Sequence, residues 1–296
     1  MPNSPIATGV GSIAILLWSI LALFTTQANQ VPPLLLLTLT FAIASALFFL
    51  VYIIKGEIKQ AWQKTPINAM LICGSAFFAY HFFYFYAFSH APAVEAGLIA
   101  YLWPLLIVLM AGLGPNNRLL WPHVVGALVA FAGTGIMLFA KDSVSLTESN
   151  LDYDWTGYGA AIACAFIWSS YSVFNRRYQS VPSSGVLWYC LITAFLAGLS
   201  HLALEEQNYQ FSTSTWLAIF ALGLGPVGVA FFCWDFGVKR GNLSLLGVLS
   251  YTTPALSTAW LVLFTNAPLT KAQFIACAFI TLGALFASVM PTKKSP

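Results

Sequence analysis

Residues 77–88 read FFAYHFFYFYAF, nine Phe or Tyr side chains around a single histidine, His81. On a helix His81, Tyr84 and Phe88 share one face at i, i+3 and i+7, and Tyr80 stacks one turn below Tyr84. Tyr101, Trp103 and Trp168 also fall in the middle of apolar stretches, with Trp18 and Tyr171 as weaker candidates. A lone Tyr or Trp in such a stretch reads as an anchor at a membrane interface. Tyr80, Tyr84, Tyr101, Trp103 and Trp168 are too deep for that, and buried phenols and indoles need hydrogen-bond partners, so they point to a cavity. Such groups stack on flat or apolar ligands and donate to polar ones, but they break no bonds. HExxH, GxSxG and paired carboxylates are absent from the apolar stretches. The chemistry on offer is recognition, so the chain is not expected to be an enzyme, and no cofactor or metal is expected.

Two prolines interrupt apolar stretches, Pro104 after Tyr101 and Pro254 after Tyr251. A mid-helix proline removes one hydrogen bond and strains the carbonyl four residues earlier, here those of Ala100 and Ser250. Freed carbonyls could accept from a substrate ammonium or hydroxyl, which makes Ser250 and Tyr251 candidate binding residues and Pro104 and Pro254 candidate gates. An ordinary packing kink is the competing reading. Gly225-Pro226 is a third possible break. Ionisable groups at membrane depth are expensive and default to functional hypotheses. His81 is a candidate proton or polar switch, against a neutral, hydrogen-bonded histidine as the alternative. Glu95 is another, against a carboxylate stabilised by a helix N-terminus just after Pro92. Asp235 and Lys239, at i and i+4, read as an ion pair, and His201 is assigned no role.

The elements that would hold these groups follow from composition. Of 296 residues 59% are hydrophobic and 7% charged, and the mean hydropathy is +0.81. A soluble domain carries about 25% charged residues, so soluble enzymes, nucleic-acid binders and disordered chains are excluded. Ten stretches are long enough to cross a bilayer: 6–26, 33–54, 67–89, 92–112, 120–140, 156–174, 184–204, 214–236, 242–264 and 271–290. The N-terminus lacks the basic region of a signal peptide, so its apolar stretch reads as the first span. With that terminus cytoplasmic, Lys55, Lys59, Lys64, Arg118, Arg176, Arg177, Lys239, Arg240, Lys293 and Lys294 all fall inside. That is ten of the twelve Lys and Arg, so both termini are expected in the cytoplasm. The five cysteines are scattered singly and read as packing residues.

The two halves match at an offset of 150 residues: Trp18-Ser19 on Trp168-Ser169, Gly97 on Gly247, Phe82 on Phe232, Gly133 on Gly283, and Tyr101-x-x-Pro104 on Tyr251-x-x-Pro254. Five spans per half is odd, so the second half enters the membrane inverted, a plan typical of transporters. The expected organisation is an all-α membrane protein of ten helices: one repeat over 1–140, an extracytoplasmic loop over 141–155 and a second repeat over 156–296. The runs LWS at 17–19 and Trp168-Ser169 that open the halves resemble the drug/metabolite transporter superfamily, EamA-type. EAGLIAYLWP at 95–104 is similar to the E-x-G-x-x-x-Y-L-W-P run of bacterial aromatic amino acid exporters in that superfamily.

The resemblance implies a central cavity lined mainly by spans 1, 3, 4, 6, 8 and 9. Its sharp part covers Glu95, Gly97, Tyr101, Leu102, Trp103 and Pro104. The expected function is export of aromatic and other apolar amino acids, or related small metabolites, across a bacterial inner membrane by alternating access. A broad-specificity multidrug exporter is the alternative. Substrate and bilayer are the expected partners, with no nucleic acid. Because none of the Lys or Arg side chains falls at mid-span, a phosphorylated substrate is disfavoured.

Overall fold

Apolar stretches of this length can satisfy their backbone groups in lipid only as helices. The structure, a computed structural model, describes residues 4–91, 93–112, 121–142, 155–206, 209–265 and 270–289, and these contain helices and no strand. The principal helices are α1 (Pro5–Thr25), α2 (Pro33–Ile54), α3 (Ile67–His90), α4 (Ala93–Ala100 and Trp103–Gly112) and α5 (Trp121–Asp142). They continue with α6 (Trp155–Phe174), α7 (Val186–Leu204), α8 (Thr213–Arg240), α9 (Leu243–Ser250 and Thr252–Thr265) and α10 (Lys271–Val289). A short helix, Ile58–Gln63, sits between α2 and α3. Seven helices among the described residues are long and apolar enough to cross a membrane, and the apolar parts of α5 and α10 are shorter. Pro92, most of the 141–155 loop and both chain ends lie outside the described residues.

Helix starts are fixed by local chemistry. Pro5 and Pro33 open α1 and α2, where a missing N–H costs nothing. Ser4, Ser212 and Asn242 accept from the amides of Ala7, Thr215 and Leu245. The Glu205 carboxylate accepts from the amides of Leu34 and Leu35 at 2.8 and 3.1 Å, and His201 braces it at 2.8 Å. That gives His201, unassigned from sequence, a structural job at the start of α2.

Packing follows a regular scheme. The main pairings are α5 with α10, α2 with α7, α3 with α6, α1 with α8, α3 with α7, α2 with α8, α4 with α6, and α1 with α9. Small residues let backbones approach. A Cβ at Gly126 would lie 2.6 Å from the Gly283 carbonyl oxygen, and one at Gly133 would lie 2.9 Å from that of Ala276. On the other seam a Cβ at Gly237 would lie 2.5 Å from Gly11 Cα. All five cysteines are free thiols, four buried and Cys277 half-buried.

Three helices are interrupted where prolines foretold it. α4 stops after Ala100 and restarts at Trp103, and α9 breaks at Tyr251. Around Pro226, α8 widens into a π-helical stretch, Gly223–Val229, without stopping.

Candidate functional site

The break in α4 and the unbroken aromatic stretch of α3 meet α1, α6 and α8 in a cluster of rings. Trp18, Trp103, Trp168 and Trp234 contact one another: Trp18 lies 6.4, 5.8 and 5.1 Å from the other three, and Trp168 stacks on Trp234 at 6.2 Å. Phe77, Phe231 and Tyr171 close the cluster on one side, with Phe77 4.7 Å from Phe231 and 4.9 Å from Tyr171. Tyr80 packs 5.1 Å from Trp168 and 4.9 Å from His81, and Tyr84 continues the wall toward Phe88 at 4.5 Å. Offset and edge-on pairs of this kind favour the ring quadrupoles.

Two layers are distinguishable. Trp103, Trp168, Trp234, Phe77, Phe231 and Tyr171 are buried. Tyr80, His81, Tyr84 and Tyr101 are enclosed by protein yet keep accessible surface, as does every residue from 78 to 86.

Hydrogen bonding separates the polar aromatics further. Trp18 Nε1 donates to the Pro226 carbonyl at 3.0 Å, a group exposed by the π-helical stretch. Trp234 Nε1 donates to Ser172 Oγ at 3.1 Å, and Tyr171 accepts from Asn175 at 3.2 Å. Among the described residues no hydrogen bond forms at the indole N–H of Trp103 or Trp168, nor at the hydroxyls of Tyr80, Tyr84 and Tyr101. His81 Nδ1 lies 2.7 Å from the Phe77 carbonyl. A carbonyl only accepts, so Nδ1 carries a proton and Nε2 is left for another partner.

Other sequence candidates sit elsewhere. Ser250 and Tyr251 are fully buried in the contact between α9 and α4. Ser250 Oγ donates to the Leu246 carbonyl, and the Tyr251 hydroxyl accepts from the Leu105 amide at 3.2 Å. That amide loses its helical partner at the α4 break, so Tyr251 repairs the interruption instead of meeting the ring cluster. Pro104 is buried beside it, with Gly247 close enough that a Cβ there would lie 3.0 Å from the Pro104 carbonyl. Pro254 is buried in α9, where its carbonyl accepts from Thr258. Glu95 is exposed at the start of α4 and accepts from the Tyr158 hydroxyl, away from the rings.

Charge is excluded from the cluster and gathered beside it. Asp235, next to Trp234, turns its carboxylate to Lys239 at 2.9 Å and to Asn175 at 2.8 Å. The Lys239 ammonium also donates to the Val181 carbonyl at 3.2 Å, and both charged side chains are 0% exposed. The i, i+4 pair was legible, but its partners Asn175 and Val181, in the chain that follows α6, were not. Trp234 and Phe231 were missed altogether: they lie next to charged or ordinary apolar residues, with no motif to set them apart.

The EamA-like transporter family matches this chain twice, over residues 7–139 and 155–289. The chain is 46% identical over 289 residues to the aromatic amino acid exporter YddG of Ancylobacter novellus, covering 96% of this chain and 97% of that one. It is 29% identical over 202 residues, 68% of each chain, to YddG of Salmonella typhimurium. A solved crystal structure superposes with a TM-score of 0.88 at 45% identity, covering 97% of this chain and 99% of the other. With both halves matched and the fold shared over nearly its whole length, this chain belongs to the EamA-like transporter family.

Proposed function

We propose that this protein exports aromatic and other apolar amino acids across a bacterial inner membrane by alternating access, binding them at the ring cluster. One observation carries the reading: the indole N–H groups of Trp103 and Trp168, the hydroxyls of Tyr80 and Tyr84, and His81 Nε2 lie in the ring cluster or its wall without hydrogen-bond partners among the described residues. Polar groups on aromatic rings at this depth ordinarily find partners within the protein, so these five are read as open to a ligand. Rings on every side suit an apolar side chain, and the absence of Lys and Arg disfavours phosphate. The name and 46% identity of the Ancylobacter exporter agree.

The architecture that goes with it is ten transmembrane helices in two inverted repeats, 1–140 and 156–296, with both termini in the cytoplasm. Support comes from the packing. Exchanging α1–α5 with α6–α10 turns α3·α6 into α1·α8, α3·α7 into α2·α8 and α4·α6 into α1·α9, and leaves α5·α10 and α2·α7 unchanged. Two halves related in this way can trade inward-open and outward-open shapes about one midplane site. The buried layer lies toward the end carrying Asp235 and Lys239, and the accessible tyrosines lie toward the other. The conformation is therefore read as closed to the cytoplasm and open outward.

The test is flux of labelled tryptophan and phenylalanine in liposomes holding the purified protein. Transport well above that of empty liposomes is expected. Trp103→Ala and Tyr101→Ala should cut it at unchanged folded yield. Flux equal to that of empty liposomes overturns the reading.

A further inference from the structure

Away from the rings, at the end of α8 where positive charges collect, lies a cavity of about 260 Å³. Its walls include Tyr52 from α2, Glu57 beside the short helix, Ser183 from the α6–α7 connection, and Phe232, Phe236 and Arg240 from α8. Two polar atoms in these walls are buried without any hydrogen-bond partner, Ser183 Oγ and Arg240 Nη1. Ser183 is 6% exposed, so its hydroxyl has little water to turn to. The guanidinium is held over the Phe236 ring at 4.6 Å, which fixes its plane. Neither Arg240 nor Glu57 has an ion-pair partner among the described residues.

A guanidinium is the side chain whose fork matches a carboxylate, and a hydroxyl beside it adds a third donor. Glu57 in the same wall offers an acceptor for an ammonium, and Lys64, also in the wall, adds a second cation. Phe232, Phe236 and Tyr52 supply an apolar surface. The volume falls just below the roughly 300–1,000 Å³ of pockets for drug-sized ligands, so a single small molecule fits. The cavity also adjoins the ring cluster: Phe232 is in its wall, packed 5.8 Å from Phe48, while the next residue, Phe231, lies 5.5 Å from Trp168.

We propose that this cavity is a cytoplasmic capture subsite for the free amino acid, in which Arg240 and Ser183 hold the α-carboxylate and Glu57 the α-ammonium. It rests on the export reading and on the cytoplasmic placement of this end of α8. Substrate docks here while the ring layer is closed and passes Phe232 and Phe231 when that layer opens.

The test measures initial rates of labelled phenylalanine entry into inside-out vesicles, where the cytoplasmic face is outermost, with phenylalanine methyl ester and 3-phenylpropionate as competitors. Arg240→Gln should raise the cytoplasmic KM about tenfold or more, the size of one lost charge-assisted hydrogen bond, with kcat nearly unchanged. The ester, lacking a carboxylate, should then compete as well as phenylalanine itself. Glu57→Gln should instead abolish the preference over 3-phenylpropionate, which lacks the ammonium. In right-side-out vesicles both variants should keep the wild-type KM.

An unchanged cytoplasmic KM in both variants, or an equal change at both faces, overturns the subsite. So does a KM that follows the anionic lipid content of the vesicles and ignores Glu57→Gln, because Arg240 then serves a lipid headgroup. If Arg240→Gln gives no folded protein, Ser183→Ala and Glu57→Gln decide by the same readouts. Wild-type vesicles with no phenylalanine flux overturn the export reading itself, whereas flux with unaltered variants overturns only the subsite.

Discussion

Trp18 and Trp168 stand 150 residues apart at equivalent places in the two halves, and so do Tyr101 and Tyr251. Within each pair one polar group is bonded inside the protein and the other is not. Trp18 gives its N–H to the Pro226 carbonyl, and the Tyr251 hydroxyl takes the Leu105 amide. Trp168 and Tyr101 make no such bond among the described residues. The local cause is visible in both cases. The position equivalent to Pro226 is Ala76, inside the continuous helix α3, so no carbonyl is exposed for Trp168. Tyr251 meets a freed amide because α9 lies against the α4 break, while Tyr101 is only half-buried beside the same α9 surface and its hydroxyl takes no such amide. A duplicated sequence thus supplies equal parts, and the conformation gives them unequal work.

The largest effect expected from this asymmetry is at the Asp235–Lys239 pair. Asp235, Lys239 and Asn175 correspond to Phe85, Ser89 and Thr25, so only one half carries a buried ionic lock. Asp235→Ala strands the Lys239 ammonium among apolar groups. Removing one partner of a buried pair costs roughly 3–5 kcal/mol. Thermal unfolding in detergent should show that loss, and a much smaller one for the half-buried Phe85→Ala. Equal losses would remove the claim that the two ends are held differently. Asp235→Asn combined with Lys239→Met should recover at least part of the loss, because no lone charge remains.

The tyrosine pair gives the next effect. Tyr251→Phe leaves the Leu105 amide buried without a partner, a cost of about 1–3 kcal/mol in stability. Tyr101→Phe removes no bond within the protein, so its unfolding temperature should stay close to wild type. Its effect should appear in transport, as a KM raised about two- to tenfold for one neutral hydrogen bond to substrate. Stability losses of equal size would mean that the Tyr101 hydroxyl holds the fold together no less than its counterpart does.

Much of this was readable in the residues. The expected spans agree with the helix ends to within four residues, because a bilayer-length apolar run has few ways to fold. Both proline breaks fell where Tyr-x-x-Pro placed them, since the missing amide is a local defect. Tyr80, His81, Tyr84, Tyr101, Trp103 and Trp168 stand out as polar aromatics at depth, and five of the six meet within the ring cluster or its wall through the ring contacts of Trp168, Tyr80 and Trp103. Ser250 and Tyr251 were grouped with them because Pro254 frees a carbonyl beside them, and a local break does not tell whether a neighbouring helix covers it. Trp234 and Phe231 escaped notice because a helix that is apolar nearly all round hides which side faces the centre. The partners of the Asp235–Lys239 pair escaped for another reason: contacts between α8 and the chain that follows α6 depend on tertiary packing that no local spacing encodes.

The smallest effect belongs to the tryptophan pair, and it separates a bond from a shape. Trp18→Phe keeps a ring in the cluster but loses the N–H to the Pro226 carbonyl, which should cost about 1 kcal/mol of stability. Trp168→Phe loses no protein hydrogen bond, so its stability change should be the smaller and its flux change the larger. The distinction can be made strict with Pro226→Ala. A regular helix through 223–229 would bond the carbonyl of residue 226 internally, leaving nothing for Trp18 to satisfy. In that background Trp18→Phe should lose its extra cost, giving a coupling energy of about 1 kcal/mol in a double-mutant cycle. Pro226→Ala should show no coupling with Trp168→Phe. Coupling of equal size to both tryptophans would mean that they respond to Pro226 through the shared ring packing, and the difference in their hydrogen bonds would then carry no weight.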